Sequence, residues 1–293
     1  MLNLRPYLML GIASLCWAGN VVLARGVADT IPPAAFAFWR WLIAFLLILP
    51  FTLGHSIRDR HAIGRSWKIL FILSLLGISG FNALLYTAVH TTTAVNAALI
   101  QSAMPATIVL LCLLIYREKI SGRQAAGILL CVLGVCLIVL KGDLRTLLSM
   151  DYARGDLLMI IAMLSYGLYS ALLRRRPGIH PSSFLLVTFL FGTIGLLPVY
   201  LAELFARGPF ALTRETALSI LYVALFPSIV AYFCWNKGVD KVGPNHAGLF
   251  INLIPVFAFM LSAWFLREPL QFHHLGGLAL IFSGMLLFYF SRA

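Results

Sequence analysis

The sequence predicts an all-α integral membrane protein with ten transmembrane helices, built as two inverted five-helix repeats around a central cavity. Three observations support this fold class: the composition, a series of long apolar runs, and an internal repeat. Hydrophobic residues make up 61% of the 293 positions and charged residues 11%, whereas soluble domains average about 45–50% and about 25%. A chain this apolar requires lipid as its solvent, and only helical bundles and closed barrels satisfy their backbone there.

Ten apolar runs account for most of the chain. Each is continuously apolar over about 20 residues, which is typical of a helix that crosses a bilayer and not of an alternating barrel strand. The first half holds runs at 6–25, 34–53, 68–89, 94–116 and 122–140. The second half holds runs at 155–173, 182–203, 216–237, 244–266 and 273–291. The first run lacks a clear small-residue cleavage site, so we interpret it as a membrane helix.

The internal repeat decides how these helices are arranged. Residues 94–140 align with 244–290 at an offset of 150 without a gap, and ten pairs are identical. Trp17 faces Tyr166 at an offset of 149. We therefore predict one repeat at 1–141, a connecting loop at 142–154 and a second repeat at 155–293. Because five crossings is an odd number, the second repeat would be inserted upside down.

The basic residues predict the orientation in the membrane. With a cytoplasmic N-terminus, 14 of the 22 Lys and Arg residues fall in inside connections and 7 in outside ones. This bias predicts a multi-pass protein of the inner membrane with both termini in the cytoplasm. The net charge of +12 lies in short connections. We therefore expect the chain to be embedded in a lipid bilayer, and we do not expect it to bind a nucleic acid.

Two matched prolines are candidate helix breaks. Pro105 and Pro255 lie near the middle of the fourth and ninth runs. Each lacks an N–H and leaves the carbonyl four residues earlier without its helical donor, at Gln101 and Ile251. Free backbone groups at membrane depth are tolerated beside a cavity or a polar neighbour. We interpret the pair as cavity-lining, with a kink used only for packing as the alternative.

Polar and aromatic side chains inside the runs are the candidate substrate-binding residues. Arg40 could bind a substrate carboxylate through two hydrogen bonds, or it could extend to the outer interface of the membrane or tie helix ends together. The amides could bind a ligand or join helices, and the aromatic side chains could line a cavity or form core packing. The predicted substrate-binding set is Trp17, Asn20, Arg40, Tyr86, Gln101, Tyr166, Tyr169, Trp235 and Asn252.

The sequence lacks the residues that several kinds of functional site require. None of the acidic residues lies near the middle of a predicted run, so a buried carboxylate for a proton or a cationic drug is not available. No paired carboxylates, HExxH, GxGD or GxSxG motif is present, which argues against an enzyme. The five cysteines lie in apolar runs without metal spacing, and we expect neither a metal nor a cofactor.

The motifs in these runs carry a family resemblance. They are Trp17 and Asn20 in the first run, FWRWLIAFLLILP around Arg40, IPVFAFMLSAWFLREPL, and HLGGLALIFSGMLLF. The chain resembles the EamA-type exporters of the drug/metabolite transporter superfamily, and is similar to their amino-acid exporters, including the aromatic amino-acid group. The resemblance implies a secondary transporter that exports small metabolites, amino acids first, or facilitates their diffusion by alternating access. An exporter of other solutes or drugs and a lipid flippase remain alternatives. We expect a monomer or a weak homodimer.

Overall fold

The computed structural model describes residues 4–27, 30–88, 104–117, 120–139, 154–266 and 272–290, and all the regular secondary structure in them is helical. The first half contains α1 (Arg5–Val27), α2 (Pro33–Arg58), α3 (Arg60–Arg65), α4 (Trp67–Ser74), α5 (Phe81–Ala88), α6 (Met104–Tyr116) and α7 (Gly122–Val139). The second half contains α8 (Arg154–Leu172), α9 (Pro181–Arg207), α10 (Arg214–Val223), α11 (Ala231–Leu249), α12 (Leu253–Leu266) and α13 (Phe272–Phe290).

Membrane-spanning length is reached by six of the described helical segments. They are Arg5–Ala24, Pro33–Arg58, Trp67–Leu85, Leu157–Arg175, Pro181–Arg207 and Arg214–Ala258. Three shorter apolar helices lie at Thr107–Tyr116, Gly122–Gly134 and Leu275–Phe288. The expectation of an all-helical chain with several apolar spans is thus confirmed for the described residues. Two helices run past the predicted ends of their spans, α2 to Arg58 and α9 to Arg207.

Two π-helical turns interrupt long helices at similar places in the two halves. Leu75–Gly80 joins α4 to α5, and Ala224–Val230 joins α10 to α11. In the second turn Pro227 has no N–H to give to Val223, and the Ser228 hydroxyl donates to the Val223 carbonyl at 2.8 Å. π-Turns widen the helix and leave carbonyls for side-chain donors, and they are frequent at functional sites.

The longest apolar segment is broken inside α11, twelve residues after its start. Gly243 has φ 81° and ψ 159°, a conformation open in practice only to glycine, and Pro244 follows it as the first residue of a new helical direction. Further along, a 3₁₀ turn at Phe250–Asn252 precedes α12. This turn comes just before Pro255, which cannot donate to the carbonyl of Ile251.

The bundle has two opposite ends, which we call the His180 face and the Glu203 face. At the His180 face, the rings of His55 and His180 stack with centroids 3.9 Å apart, and the Asp59 carboxylate accepts the His180 N–H at 2.8 Å. At the Glu203 face, the Glu203 carboxylate accepts the Ala35 N–H at 2.8 Å. Helices α2 and α9 therefore lie antiparallel and contact each other at both ends.

Helices α7 and α13 pack with their backbones in contact. A Cβ added at Gly127 would lie 2.7 Å from the Gly284 carbonyl oxygen, and one at Gly134 would lie 2.7 Å from the Gly277 carbonyl oxygen. Only glycine permits this approach, which is the usual role of small residues between membrane helices. The pairing of an early residue of α7 with a late residue of α13 makes these two helices antiparallel.

Candidate functional site

An aromatic cluster lies where the helices of the two halves meet. It consists of Trp17 from α1, Phe81 from α5, Tyr166 and Tyr169 from α8, and Tyr232 and Trp235 from α11. Tyr166 is the common neighbour: its ring centroid is 5.8 Å from that of Trp17, 4.9 Å from that of Phe81 and 5.4 Å from that of Tyr169. These separations and the tilted or edge-on geometries are those that aromatic pairs prefer.

Some polar tips of the cluster are hydrogen-bonded to the π-turns or to each other. The Tyr232 hydroxyl donates to the Gly77 carbonyl in the first π-turn. The Trp17 indole N–H donates to the Pro227 carbonyl in the second π-turn at 3.0 Å. The Tyr169 hydroxyl donates to the Asn236 side-chain oxygen at 2.6 Å. The irregular turns thus fix the orientation of the cluster through their exposed carbonyls.

Other polar tips are buried without a partner among the described residues. They are the Tyr166 hydroxyl, the Trp235 indole N–H and the Asn236 amide nitrogen, in side chains that are 3%, 0% and 4% exposed. An unsatisfied buried polar group costs about 1–3 kcal/mol. The rings of Tyr166 and Trp235 have centroids 6.0 Å apart, and Asn236 follows Trp235 in the chain, so the three groups are candidates for hydrogen bonds to a bound molecule.

Arg40 is buried beside this cluster, at 3% exposure. Its Nε donates to the Ser228 hydroxyl at 2.6 Å, and its Nη2 donates to the Pro227 carbonyl at 3.1 Å. The next residue, Trp41, packs edge-on against Tyr232 with centroids 4.9 Å apart. Arg40 therefore ties α2 to the second π-turn, where it shares the Pro227 carbonyl with the Trp17 indole N–H.

The other predicted residues are distributed as follows. Asn20 is buried on α1, one turn beyond Trp17, and its side-chain oxygen has no described partner. Asn252 is 1% exposed and lies beside Cys131 of α7. Pro105 is the second described residue of α6 and is buried. Gln101 and the side chain of Tyr86 lie outside the described part of the chain.

Four of the predicted residues are brought into one cluster: Trp17, Tyr166, Tyr169 and Trp235. The sequence prediction missed Phe81 and Tyr232, and it considered the Asn236 amide but left it out of the substrate-binding set. Tyr232 lies three residues before Trp235 and four before Asn236, a spacing that places all three on one side of a helix. That pattern could have identified Tyr232 and Asn236. Nothing in the sequence connects Phe81 to the cluster.

Comparison with known families decides the class of this protein. The sequence profile of the EamA-like transporter family matches residues 4–140 and again residues 153–290. The chain belongs to the EamA-like transporter family. This membership confirms the resemblance at the level of the family and identifies a multi-pass membrane transporter, and the family is one of transporters and not of enzymes.

Relatives of this EamA-like transporter match it along nearly its whole length. It is 29% identical to "Uncharacterized transporter YyaM" of Bacillus subtilis (strain 168), over 98% of this chain and 94% of the relative. It is 30% identical to "Uncharacterized transporter YetK" of the same organism, over 95% of this chain and 85% of the relative. One solved crystal structure superposes with a TM-score of 0.79 at 17% identity, covering 96% of this chain and 95% of that one. That likeness shows the shared fold.

Proposed function

We propose that this EamA-like protein is a secondary transporter that exports amino acids or facilitates their diffusion by alternating access. The observation that carries the proposal is the aromatic cluster with the adjoining Asn236: the Tyr166 hydroxyl, the Trp235 N–H and the Asn236 amide nitrogen are buried without described partners. Buried polar groups in folded proteins are nearly always hydrogen-bonded. A substrate that passes through the cluster supplies the missing partners.

Two inverted five-helix halves would give such a site its access from either side. Three residue pairs support this arrangement, because each joins a residue to its own counterpart in the repeat. The ring centroids of Trp17 and Tyr166 are 5.8 Å apart at an offset of 149. Trp41 and Phe189, offset by 148, are 4.9 Å apart. A pair of this kind lies close to a pseudo-two-fold axis, the symmetry of many inverted-repeat carriers.

The third pair lies on the helices that close each half. The Cys131 thiol is 3.5 Å from the Ile281 carbonyl oxygen, at an offset of 150. The glycine contacts on either side obey the same symmetry. At the repeat offset of 150 residues, Gly127 corresponds to Gly277 and Gly134 corresponds to Gly284. When each residue is exchanged for its counterpart, the contact between Gly127 and Gly284 turns into the observed contact between Gly277 and Gly134. A ten-helix chain of two inverted halves accounts for all of these contacts.

The chemistry of the cluster favours a substrate with a carboxylate and an apolar body. The indole N–H of Trp235 and the amide nitrogen of Asn236 are donors, and the positively charged Arg40 shares the Pro227 carbonyl with Trp17 of the cluster. None of the described hydrogen bonds or ion pairs connects an acidic side chain to the cluster. The ring faces suit an apolar side chain and attract an ammonium group. An amino acid combines these three features.

The proposed orientation places the His180 face in the cytoplasm of a cell with an inner membrane. That face carries Arg58, Arg174, Arg175 and Arg176, whereas the Glu203 face carries Arg207 and Arg214. An excess of arginine and lysine marks the cytoplasmic side of a membrane protein. Export would then move the substrate from the His180 face towards the Glu203 face.

Transport assays on reconstituted protein test this function. Proteoliposomes loaded with unlabelled L-phenylalanine should accumulate labelled L-phenylalanine by counterflow. Tyr166→Phe should lower this flux about tenfold, because it removes one hydrogen bond to the substrate. Tyr200→Phe is the matched control, since Tyr200 stacks on Phe38 outside the cluster and its loss should leave the flux unchanged.

The alternative functions, a drug exporter and a lipid flippase, predict different results in the same proteoliposomes. Flux of a lipophilic cation without flux of any amino acid would identify a drug exporter and overturn the proposal. Movement of a fluorescent phospholipid between leaflets, again without amino-acid flux, would identify a flippase. Equal L-phenylalanine flux in wild type and Tyr166→Phe would show that the cluster is not the substrate site.

A further inference from the structure

A cavity lies at the Glu203 face, apart from the aromatic cluster. Its volume is about 290 Å³, close to the lower end of the roughly 300–1,000 Å³ that small-molecule sites occupy. Helices α2 and α5 of the first half and α9 of the second half form its walls. The lining residues are Pro33, Ala34, Ala83, Thr87, Leu196, Val199, Glu203 and Arg207.

The cavity contains one acidic and one basic side chain on neighbouring turns of α9. Glu203 is held in place because its Oε2 accepts the Ala35 N–H at 2.8 Å near the start of α2. Negative charge is favoured there by the helix dipole. Arg207 is exposed at the last residue of α9. In the described part of the chain, no hydrogen bond or ion pair joins Glu203 to Arg207.

The two charges would otherwise form the usual surface pair of residues four apart on a helix. Here the carboxylate is directed to the α2 N-terminus, and the guanidinium remains at the rim of the cavity. The other lining side chains are small, apolar or, in Thr87, a hydroxyl. The cavity therefore presents an anion, a cation and an apolar wall to one small molecule.

We propose that this cavity is a second binding site, specific for a small zwitterion. The ammonium group binds to the Glu203 carboxylate, the carboxylate group binds to the Arg207 guanidinium through two hydrogen bonds, and the short carbon chain lies on Val199 and Leu196. A simple cation would bind only to Glu203, and a simple anion would bind only to Arg207. The volume limits the ligand to a compact molecule.

This site is separate from the aromatic cluster, because none of the cluster residues lines it. The nearest link along the chain is α5, on which Ala83 of the cavity lies two residues after Phe81 of the cluster. The inference needs no assumption about transport, because binding at the Glu203 face can be measured in a protein that carries nothing across the membrane.

A local fluorescence measurement tests the site. Ala202 is exposed next to Glu203 but does not line the cavity, so Ala202→Cys labelled with bimane in nanodiscs reports on this face. Three probes share one side chain and differ in charge: L-valine is a zwitterion, L-valinamide a cation and N-acetyl-L-valine an anion. L-Valine should change the bimane signal saturably, and the other two should bind at least about tenfold more weakly.

Four variants of the labelled protein decide the assignment. Glu203→Gln keeps an oxygen that can accept the Ala35 N–H but removes the charge, and Arg207→Gln removes the cation; each should weaken L-valine binding at least about tenfold. Arg214→Gln and Glu215→Gln change exposed charges at the start of α10, outside the cavity, and should have no effect. The unfolding temperature of each variant serves as the folding check.

The results separate this inference from the proposed function. L-Valine binding that needs Glu203 and Arg207 supports the site whether or not amino-acid flux is found. Undiminished L-valine binding in folded Glu203→Gln and Arg207→Gln overturns it, even if transport is active. Binding of L-valinamide as tight as that of L-valine also overturns it.

Discussion

The Cys131 thiol lies 3.5 Å from the Ile281 carbonyl oxygen, and these residues occupy the same position in the two copies of the repeat, 150 residues apart. The glycines flanking them bring α7 and α13 into backbone contact. This tight seam uses residues from both copies, so the two halves are joined here by direct packing and not only by the chain.

Adding one methyl group to this seam should destabilise the protein. In Gly127→Ala the new Cβ would lie 2.7 Å from the Gly284 carbonyl oxygen and 2.9 Å from the Phe288 nitrogen. Because both are backbone atoms, the helices must separate, at a cost of about 1–3 kcal/mol. Gly122→Ala, on the same helix with open space around it, is the control. Thermal unfolding in detergent measures both, and equal midpoints would contradict the tight seam.

The Ser228 hydroxyl should be important for stability because it serves two partners. It accepts from Arg40 Nε at 2.6 Å and donates to the Val223 carbonyl at 2.8 Å. Ser228→Ala leaves both partners buried without it and should cost about 1–3 kcal/mol. Ser56→Ala, which removes only a bond to the carbonyl one turn earlier on α2, should cost less. A smaller drop in unfolding temperature for Ser228→Ala than for Ser56→Ala would refute this role.

The two tyrosines of α8 should respond differently to loss of the hydroxyl. Tyr169→Phe leaves the Asn236 side-chain oxygen without its 2.6 Å donor and should cost about 1–3 kcal/mol of stability. Tyr166→Phe removes a hydroxyl that has no described partner, so the unfolding temperature should stay the same or rise while L-phenylalanine flux falls. The opposite order of stabilities would mean that the Tyr166 hydroxyl is a structural group.

Acid should weaken the contact at the His180 face. The Ser183 hydroxyl and the His180 backbone N–H lower the pKa of Asp59 below its ordinary value. A carboxyl group with a lowered folded-state pKa stabilises the fold above its unfolded pKa of about 3.9, and this contribution is lost as the pH falls through the folded value. Asp59→Asn should therefore unfold at a lower temperature than wild type at pH 7, with the difference shrinking as the pH falls below about 3.9. A difference that stays constant over this range would exclude the Asp59 charge as its cause.

The sequence by itself determined the class of the protein and much of its plan. In a long apolar run, the backbone N–H and C=O groups have no water to bind and must hydrogen-bond within a helix. Composition and run length were therefore enough to predict helical spans. The repeat predicted which positions correspond, and Trp17 with Tyr166 shows that corresponding residues do meet. Neither the apolar runs nor the repeat determined the substrate or the oligomeric state.

Only the tertiary structure decided which polar groups are satisfied and which are not. Arg40, predicted as a substrate ligand or a helix tie, is directed to Ser228 and Pro227 because a π-turn exposes those atoms. Sequence periodicity does not reveal such a turn, since the inserted residue shifts the register of the helix locally. The cavity at Glu203 also required the fold, because its walls come from α2, α5 and α9, which are distant in the chain and adjacent only after packing.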